Sequence, residues 1–237
     1  VKTGVVITAG GFGNRMNARE KKQFIPINGA PIIAHTIRVF NALPVISCVI
    51  VVVPADDINR VMELPVMNSE KVFVTKGGAR RQDSVLNGLR ALCMELYGKE
   101  GPDNERDIIL VHDGVRPCIT PELIHNCIRA AKKTGAAVPG LTPIDTIKKV
   151  TDGAVDCTLE RSELIAVQTP QTFRISLLWS AFEAFRDADV TDDAMLVELL
   201  NTPIAVVPGE HDNIKITYYN DLNRAAEILR MHEEKSV

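Results

Sequence analysis

The chain has 237 residues, 46% of them apolar, which is enough for one sizeable core and short for two. Its net charge of −3 excludes the basic surface that holds nucleic acid. Five cysteines, at 48, 93, 118, 127 and 157, form no C-x-x-C pair and suggest neither a disulfide framework nor a zinc site. No run of about 18 apolar residues is present to cross a membrane, and the first residues lack the apolar segment of a signal peptide. The expectation is a cytoplasmic protein without membrane or nucleic-acid partners, a single domain over 1–237.

Gly4-Val5-Val6-Ile7 predicts a short buried strand, and the glycines Gly10, Gly11 and Gly13 follow it directly. A turn so rich in glycine lets backbone N–H groups point together at an anion. Arg15 and the pair Lys21-Lys22 bring fixed positive charge to the same place, so a polyphosphate is the expected guest. The Walker loop is excluded, because no Lys-Ser or Lys-Thr follows these glycines. The dinucleotide fingerprint finds Met16 in place of its third glycine, which counts against a dehydrogenase. An ordinary strand-ending turn would explain the glycines alone, but not the cations beside them.

The pattern A-G-G-x-G-x-R-M followed by K-K-Q-F resembles the opening of the sugar-phosphate nucleotidyltransferases, most closely the 2-C-methyl-D-erythritol 4-phosphate cytidylyltransferase family. That resemblance implies contacts to the nucleotide from Ala9, Gly10, Gly11 and Gly13. It also implies stabilisation of charge at the α-phosphate by Arg15 and Lys22.

Further along, proline at a first turn and apolar residues at helical spacing predict a helix over 31–43. A β-branched run over 47–53 reads as a strand buried on both faces, 56–64 as a short helix and 71–75 as a third strand. Such alternation predicts parallel strands joined by right-handed crossovers. The segment from Lys76 to Val85 is a second glycine-basic loop at the end of a strand, on the edge where open α/β sheets bind ligands, and it leads into a helix through Leu96. Arg80 and Arg81 oppose the dipole at that helix start, which favours a bound anion there. The family resemblance adds Gly78 and Ser84 as contacts to the pyrimidine base.

A polar loop over 97–106 precedes a fourth strand over 107–111, which runs into His112-Asp113-Gly114-Val115-Arg116-Pro117. An acid just past a buried strand on the ligand edge suits a divalent cation, so Asp113 is the candidate for Mg²⁺ or substrate contact. His112 reads as a packed, hydrogen-bonded histidine. The family usually shows H-D-A-A-R-P here. Val115 and the Ala9-Gly10-Gly11 order resemble the ribitol-5-phosphate cytidylyltransferases, which stand as the alternative acceptor class.

A capped amphipathic helix is expected over 120–134 and a strand over 136–141. Two short alternating segments about Thr151-Asp152-Gly153 predict a hairpin arm over about 145–160. An isolated hairpin is marginal in water, so the arm is expected to pack on a second copy of the chain. Glu160-Arg161 through Gln168-Thr169-Pro170-Gln171 is similar to the family's D-R-x-x-L-W-x-x-Q-T-P-Q. The resemblance makes Arg161 the arginine that an arm carries into its partner's site. Gly209 to Thr217 is similar to its G-x-x-x-N-I-K-I-T, which sets Lys215 and Arg161 to position the acceptor phosphate. Arg116, Asp145, Thr146 and Thr169 are acceptor contacts on the same basis. Thr191 caps a helix beginning at Thr191-Asp192-Asp193 and matches the family's T-D-D as a substrate contact. A helix over 175–187, a strand over 204–207 and a helix over 219–231 complete the chain.

The expected fold is α/β, a Rossmann-like, mostly parallel sheet flanked by helices with a protruding β-hairpin dimerisation arm. The expected activity is transfer of CMP from CTP to a sugar-alcohol phosphate with Mg²⁺, in a homodimer. A phosphomonoester is its own nucleophile, which accounts for the lack of a Ser/His/Asp or Cys/His constellation. A non-catalytic nucleotide sensor on the same fold is the rival from another class.

Overall fold

In the computed structural model, residues 1–10 and 20–235 are described. Strand β1 (Thr3–Thr8) opens the chain. A small hairpin of β2 (Pro26–Ile27) and β3 (Ala30–Pro31) then leads into α1 (Ile32–Ala42). Next come β4 (Cys48–Val53), α2 (Ile58–Met62), β5 (Val72–Lys76), α3 (Arg81–Tyr97), β6 (Ile108–Asp113), α4 (Pro121–Thr134) and β7 (Ala136–Leu141). Strands β8 (Lys148–Thr151) and β9 (Ala154–Thr158) form a separate antiparallel pair. The chain closes with β10 (Ala166–Val167), β11 (Gln171–Arg174), α5 (Ile175–Ala184), α6 (Asp193–Glu198), β12 (Ala205–Pro208) and α7 (Asn220–Lys235).

The main sheet runs β10-β7-β11-β6-β1-β4-β5, with β12 parallel to β7. Strands β6, β1, β4 and β5 are mutually parallel, with Val5 paired to Leu110 on one side and to Val49 on the other. The chain steps outward from β1 through β4 to β5, then returns to lay β6 on the other side of β1. Beside β1 the strand order therefore reverses, which opens a crevice at the carboxyl ends of β1 and β6.

Both faces of the sheet are covered at β1, β4 and β6, and for that reason each of these strands carries a continuous apolar run. Val5, Ile7, Val49, Val51 and Leu110 pack under α1 and α4, through Ile33, Ile37, Phe40, Leu123 and Ile124. The alternate residues Val6, Ile50, Val52 and Ile109 pack under α3 and α5, through Val85, Leu89, Leu92 and Leu178. Helix α7 sits apart, covering Ile27, Ile32 and Ile216 with Ala225 and Ile228.

Three expectations need correction. Sequence patterning assigned no strand between the arm and α5, yet β11 inserts antiparallel between β6 and β7, and β10 adds a second antiparallel pair to β7. Helix α6 is capped by Asp192, whose side chain accepts from the Met195 N–H at 2.9 Å, whereas the exposed Thr191 hydroxyl lies 3.8 Å from the Met195 sulfur. Helix α7 continues through Lys235 rather than ending near Met231.

The hairpin is as the Asp-Gly signal predicts. Asp152 and Gly153 both take positive φ, 50° and 81°, as a two-residue type I′ turn requires. Every residue of β8 and β9 is exposed.

Candidate active site

A cleft of about 720 Å³ opens at the reversal of strand order. Thr8, Ala9 and Gly10 enter it from the end of β1, Val52 to Ala55 from β4, Gly77 to Arg81 from β5, and Asp113 from β6. Lys22, Lys215 and Thr217 close it from outside the parallel strands. Among the described lining residues, Lys22, Arg80, Arg81 and Lys215 are cationic and Asp113 alone is acidic. Side chains far apart in sequence thus give the cleft a positive interior, suited to a polyanion.

The loop after β5 owes its shape to glycine and serine. A Cβ on Gly78 would lie 2.3 Å from the Asp83 Cβ and 3.0 Å from its carbonyl carbon. The Ser84 hydroxyl accepts from the Gly78 N–H at 3.0 Å and donates to the Arg80 carbonyl at 3.2 Å. Asp83 accepts from the Arg80 N–H at 3.0 Å, and its carboxylate also takes the Arg80 guanidinium at 2.8 Å. Arg81 reaches across to Asp193 at 2.7 Å, an acid with no exposed surface. The positive charges at the start of α3 therefore already face internal carboxylates and need no anion to explain them. They line the cleft all the same.

Asp113 forms the floor. Its Oδ2 accepts from Lys215 Nζ at 3.0 Å and from Arg116 Nε at 3.1 Å. Burial on its own would raise this carboxyl, but Lys215 and Arg116 outweigh it and hold the group well below the usual carboxylate range. Behind it, the Asp113 N–H donates to the Thr169 hydroxyl at 3.1 Å. The Arg116 carbonyl can only accept, so the neutral His112 carries its proton on Nε2 and donates it there at 3.1 Å, while its Nδ1 accepts from the Thr169 hydroxyl at 2.9 Å. Complete burial pushes His112 down to about 4 and keeps the ring neutral. It acts as a packed strut, in edge contact with Phe40. Arg116 and Asn213 complete the frame: Arg116 donates to the Asn213 carbonyl at 2.8 Å, and Asn213 donates to the Thr169 carbonyl at 2.9 Å.

Residues 3–231 match the family model described as IspD: 2-C-methyl-D-erythritol 4-phosphate cytidylyltransferase. The chain belongs to this family. The family member of that name from Geobacter metallireducens is 39% identical over 231 residues, covering 95% of this chain and 96% of its own. The one from Clostridioides difficile is 40% identical over 237 residues, covering 98% and 96%. Among solved structures, the 4-diphosphocytidyl-2C-methyl-D-erythritol synthase of Anaerococcus prevotii superposes with a TM-score of 0.80 at 29% identity, covering 97% of this chain and 96% of its own. The 2-C-methyl-D-erythritol 4-phosphate cytidylyltransferase of Francisella tularensis gives 0.80 at 28%, covering 96% and 100%. The IspD resemblance read from the first loop therefore extends over the whole chain, and the ribitol-phosphate alternative drawn from Val115 and the first loop gains no support from these relatives.

Against the residues expected for an IspD site, the cleft brings together Ala9, Gly10, Lys22, Gly78, Asp113, Ser84 and Lys215. Gly11, Gly13 and Arg15 lie outside the described residues. Thr169 and Arg116 are buried behind Asp113, with the hydrogen bonds above, and brace it from beneath instead of lining the cleft. Asp145 and Thr146 are exposed at the base of the arm, where Arg161 donates to the Ile144 carbonyl at 2.8 Å. Neither they nor Thr191 line this chain's own cleft. Sequence reasoning missed Thr217, which lines the cleft from the segment that carries Lys215. It also missed Asp193, whose link to Arg81 spans 112 positions and leaves no local signal.

Proposed function

We propose that the chain transfers CMP from CTP to 2-C-methyl-D-erythritol 4-phosphate, releasing pyrophosphate, and that the cleft at the end of the parallel strands is where it does so. The observation that carries this reading is the convergence of Lys22 and Lys215 with the Gly77–Ser84 loop around one cleft. The acceptor phosphate needs no base, since its second pKa is about 6 and it is largely dianionic at neutral pH. One of its oxygens attacks the α-phosphorus of CTP. A new P–O bond forms as the bond to the β-phosphate bridging oxygen breaks, and pyrophosphate departs with that electron pair.

What the protein supplies is position and charge. Lys22, with Arg15, is assigned to the charge that builds at the α-phosphate, and Lys215, steadied by Asp113, to the acceptor phosphate. Gly78 and Ser84 are assigned to the base, because the narrow turn they form presents backbone to the cleft.

Among the described residues no three His, Cys, Asp or Glu side chains converge, so any metal must be held largely by the substrate. The residues fit Mg²⁺ that arrives with the triphosphate: Asp113 stays ionised and is the acid lining the cleft. Bound there, the ion would offset phosphate charge.

The arm supports assembly as a homodimer. Val150 and Val155 stand 58% and 64% exposed on a two-stranded sheet that would be marginal alone, and a second copy would cover them. We assign Arg161, Asp145 and Thr146, grouped at the arm's base, to the partner's acceptor site, within one domain spanning 1–237. Five free cysteines, four of them buried, support a reducing compartment such as the cytoplasm. Among the described residues no helix is long and apolar enough to cross a membrane.

Pyrophosphate release measured in parallel with CTP plus methylerythritol 4-phosphate and CTP plus ribitol 5-phosphate tests the assignment. Turnover with the first is expected. Turnover with ribitol phosphate only would overturn it.

A further inference from the structure

Outside the cleft, one group of charges stands at its rim with no part in the chemistry above. Lys21 Nζ meets Asp57 Oδ1 at 2.7 Å, and the Asp57 side chain is only 7% exposed. The other Asp57 oxygen is buried with no hydrogen-bond partner among the described residues, and among these Lys21 is the cation bonded to this carboxylate. One residue earlier, Glu20 takes both guanidinium nitrogens of Arg60, at 2.7 and 2.9 Å. The same guanidinium lies 3.9 Å from the centre of the Phe24 ring, which is buried in the core beside Val61.

These contacts fix the chain on both sides of Lys22. Lys22–Phe24 is a 3-10 turn in which the Phe24 N–H donates to the Lys21 carbonyl at 2.9 Å. Lys21 is tied to the first turn of the α2 region and Phe24 is sunk in the core, so the Lys22 backbone has little freedom left. The segment holding Asp57 begins at Pro54-Ala55, which lines the cleft itself. The two sides of the cleft mouth are thereby clasped together at Lys22.

We propose that Asp57 is a positioning residue for catalysis: through Lys21 it holds Lys22 at the distance from the β4 end that the triphosphate requires. This rests on the assignment of Lys22 above. A displacement of about 1 Å in a reacting group costs up to about 10²-fold in rate, so loosening the clasp is expected to lower kcat about tenfold or more. The effect on KM should be smaller, since the other cleft residues still hold CTP.

The test is a double-mutant cycle on Asp57→Asn and Lys21→Met, with kcat and KM from pyrophosphate release and the thermal midpoint measured for each variant. Each single variant should lose kcat at a temperature well below its midpoint, and the double variant should lose no more than the worse single. Losses that multiply, or a lowered midpoint with kcat intact, would overturn the clasp. Lys22→Ala, run alongside, should fall about 10²–10³-fold. If it does not, the reading of the cleft fails, whereas an unaffected Asp57→Asn beside a crippled Lys22→Ala sinks the clasp alone.

Discussion

At the scale of single residues, the cleft depends on what is missing as much as on what is present. Gly78 has no room for a side chain, because the Asp83 Cβ occupies the space and is fixed by the first turn of α3. Gly78→Ala should therefore push the loop away from Ser84, costing about 1–3 kcal/mol of stability and raising the KM for CTP more than it lowers kcat. Denaturant titration and steady-state kinetics on one preparation would check both parts, and an unaltered KM would remove Gly78 from the nucleotide site. Asp113 illustrates the complementary point. It was legible as an acid at the end of a buried strand with Arg116 three positions on, but its pairing with Lys215, about a hundred positions away, was not. A carboxylate shared by Lys215 and Arg116 holds an ammonium in place at the cleft and stays charged in doing so.

At the scale of elements, legibility follows burial. Strands β1, β4 and β6 are covered on both faces, and the consequence is an unbroken apolar run that any reader of the sequence can find. Strand β11 is as central but reads Gln-Thr-Phe-Arg. Gln171 spends its amide on α6, accepting from the Asp193 and Ala194 N–H groups at 3.1 and 3.0 Å, so a polar residue is buried for a reason four positions of sequence cannot express. The arm was legible for the opposite cause: its turn residues must take positive φ, and few dipeptides do. If it builds the dimer, replacing 146–159 by a short glycine-serine linker should give a monomer by sedimentation equilibrium. Activity should fall with it, because Arg161 and its neighbours would no longer reach a second cleft. A dimer that survives the excision would reassign the interface.

At the scale of the whole molecule, the buried ion network ties stability to pH. His112 is held at about 4 against an ordinary 6.5, so protons bind the unfolded chain more readily than the folded one. Its contribution is complete above about 6.5 and is lost as the pH falls through about 4, amounting to about 3 kcal/mol at about 1.36 kcal/mol per unit. Asp113, also depressed, adds a loss in the same direction at more acid pH. Asp193, raised mainly by burial, runs the other way: its stabilising contribution belongs to low pH and fades as the pH rises through its folded value. Urea denaturation between pH 7 and 4 should show stability dropping on the acid side, and a His112→Gln variant should lose most of that slope. Equal slopes in the two proteins would mean that the histidine is not the sensor.

The antiparallel insertion of β11 also dictates an order of events on the ribosome. By the time Asp113 has left the exit tunnel, β5, β4, β1 and β6 can already associate. Strand β7, however, finds its neighbours only when residues 166–174 and 205–208 have been translated. Through that interval the nascent protein shows an apolar, hydrogen-bond-hungry strand edge on β6 that is open to aggregation, and a message truncated before Gln171 yields a product that cannot conceal it.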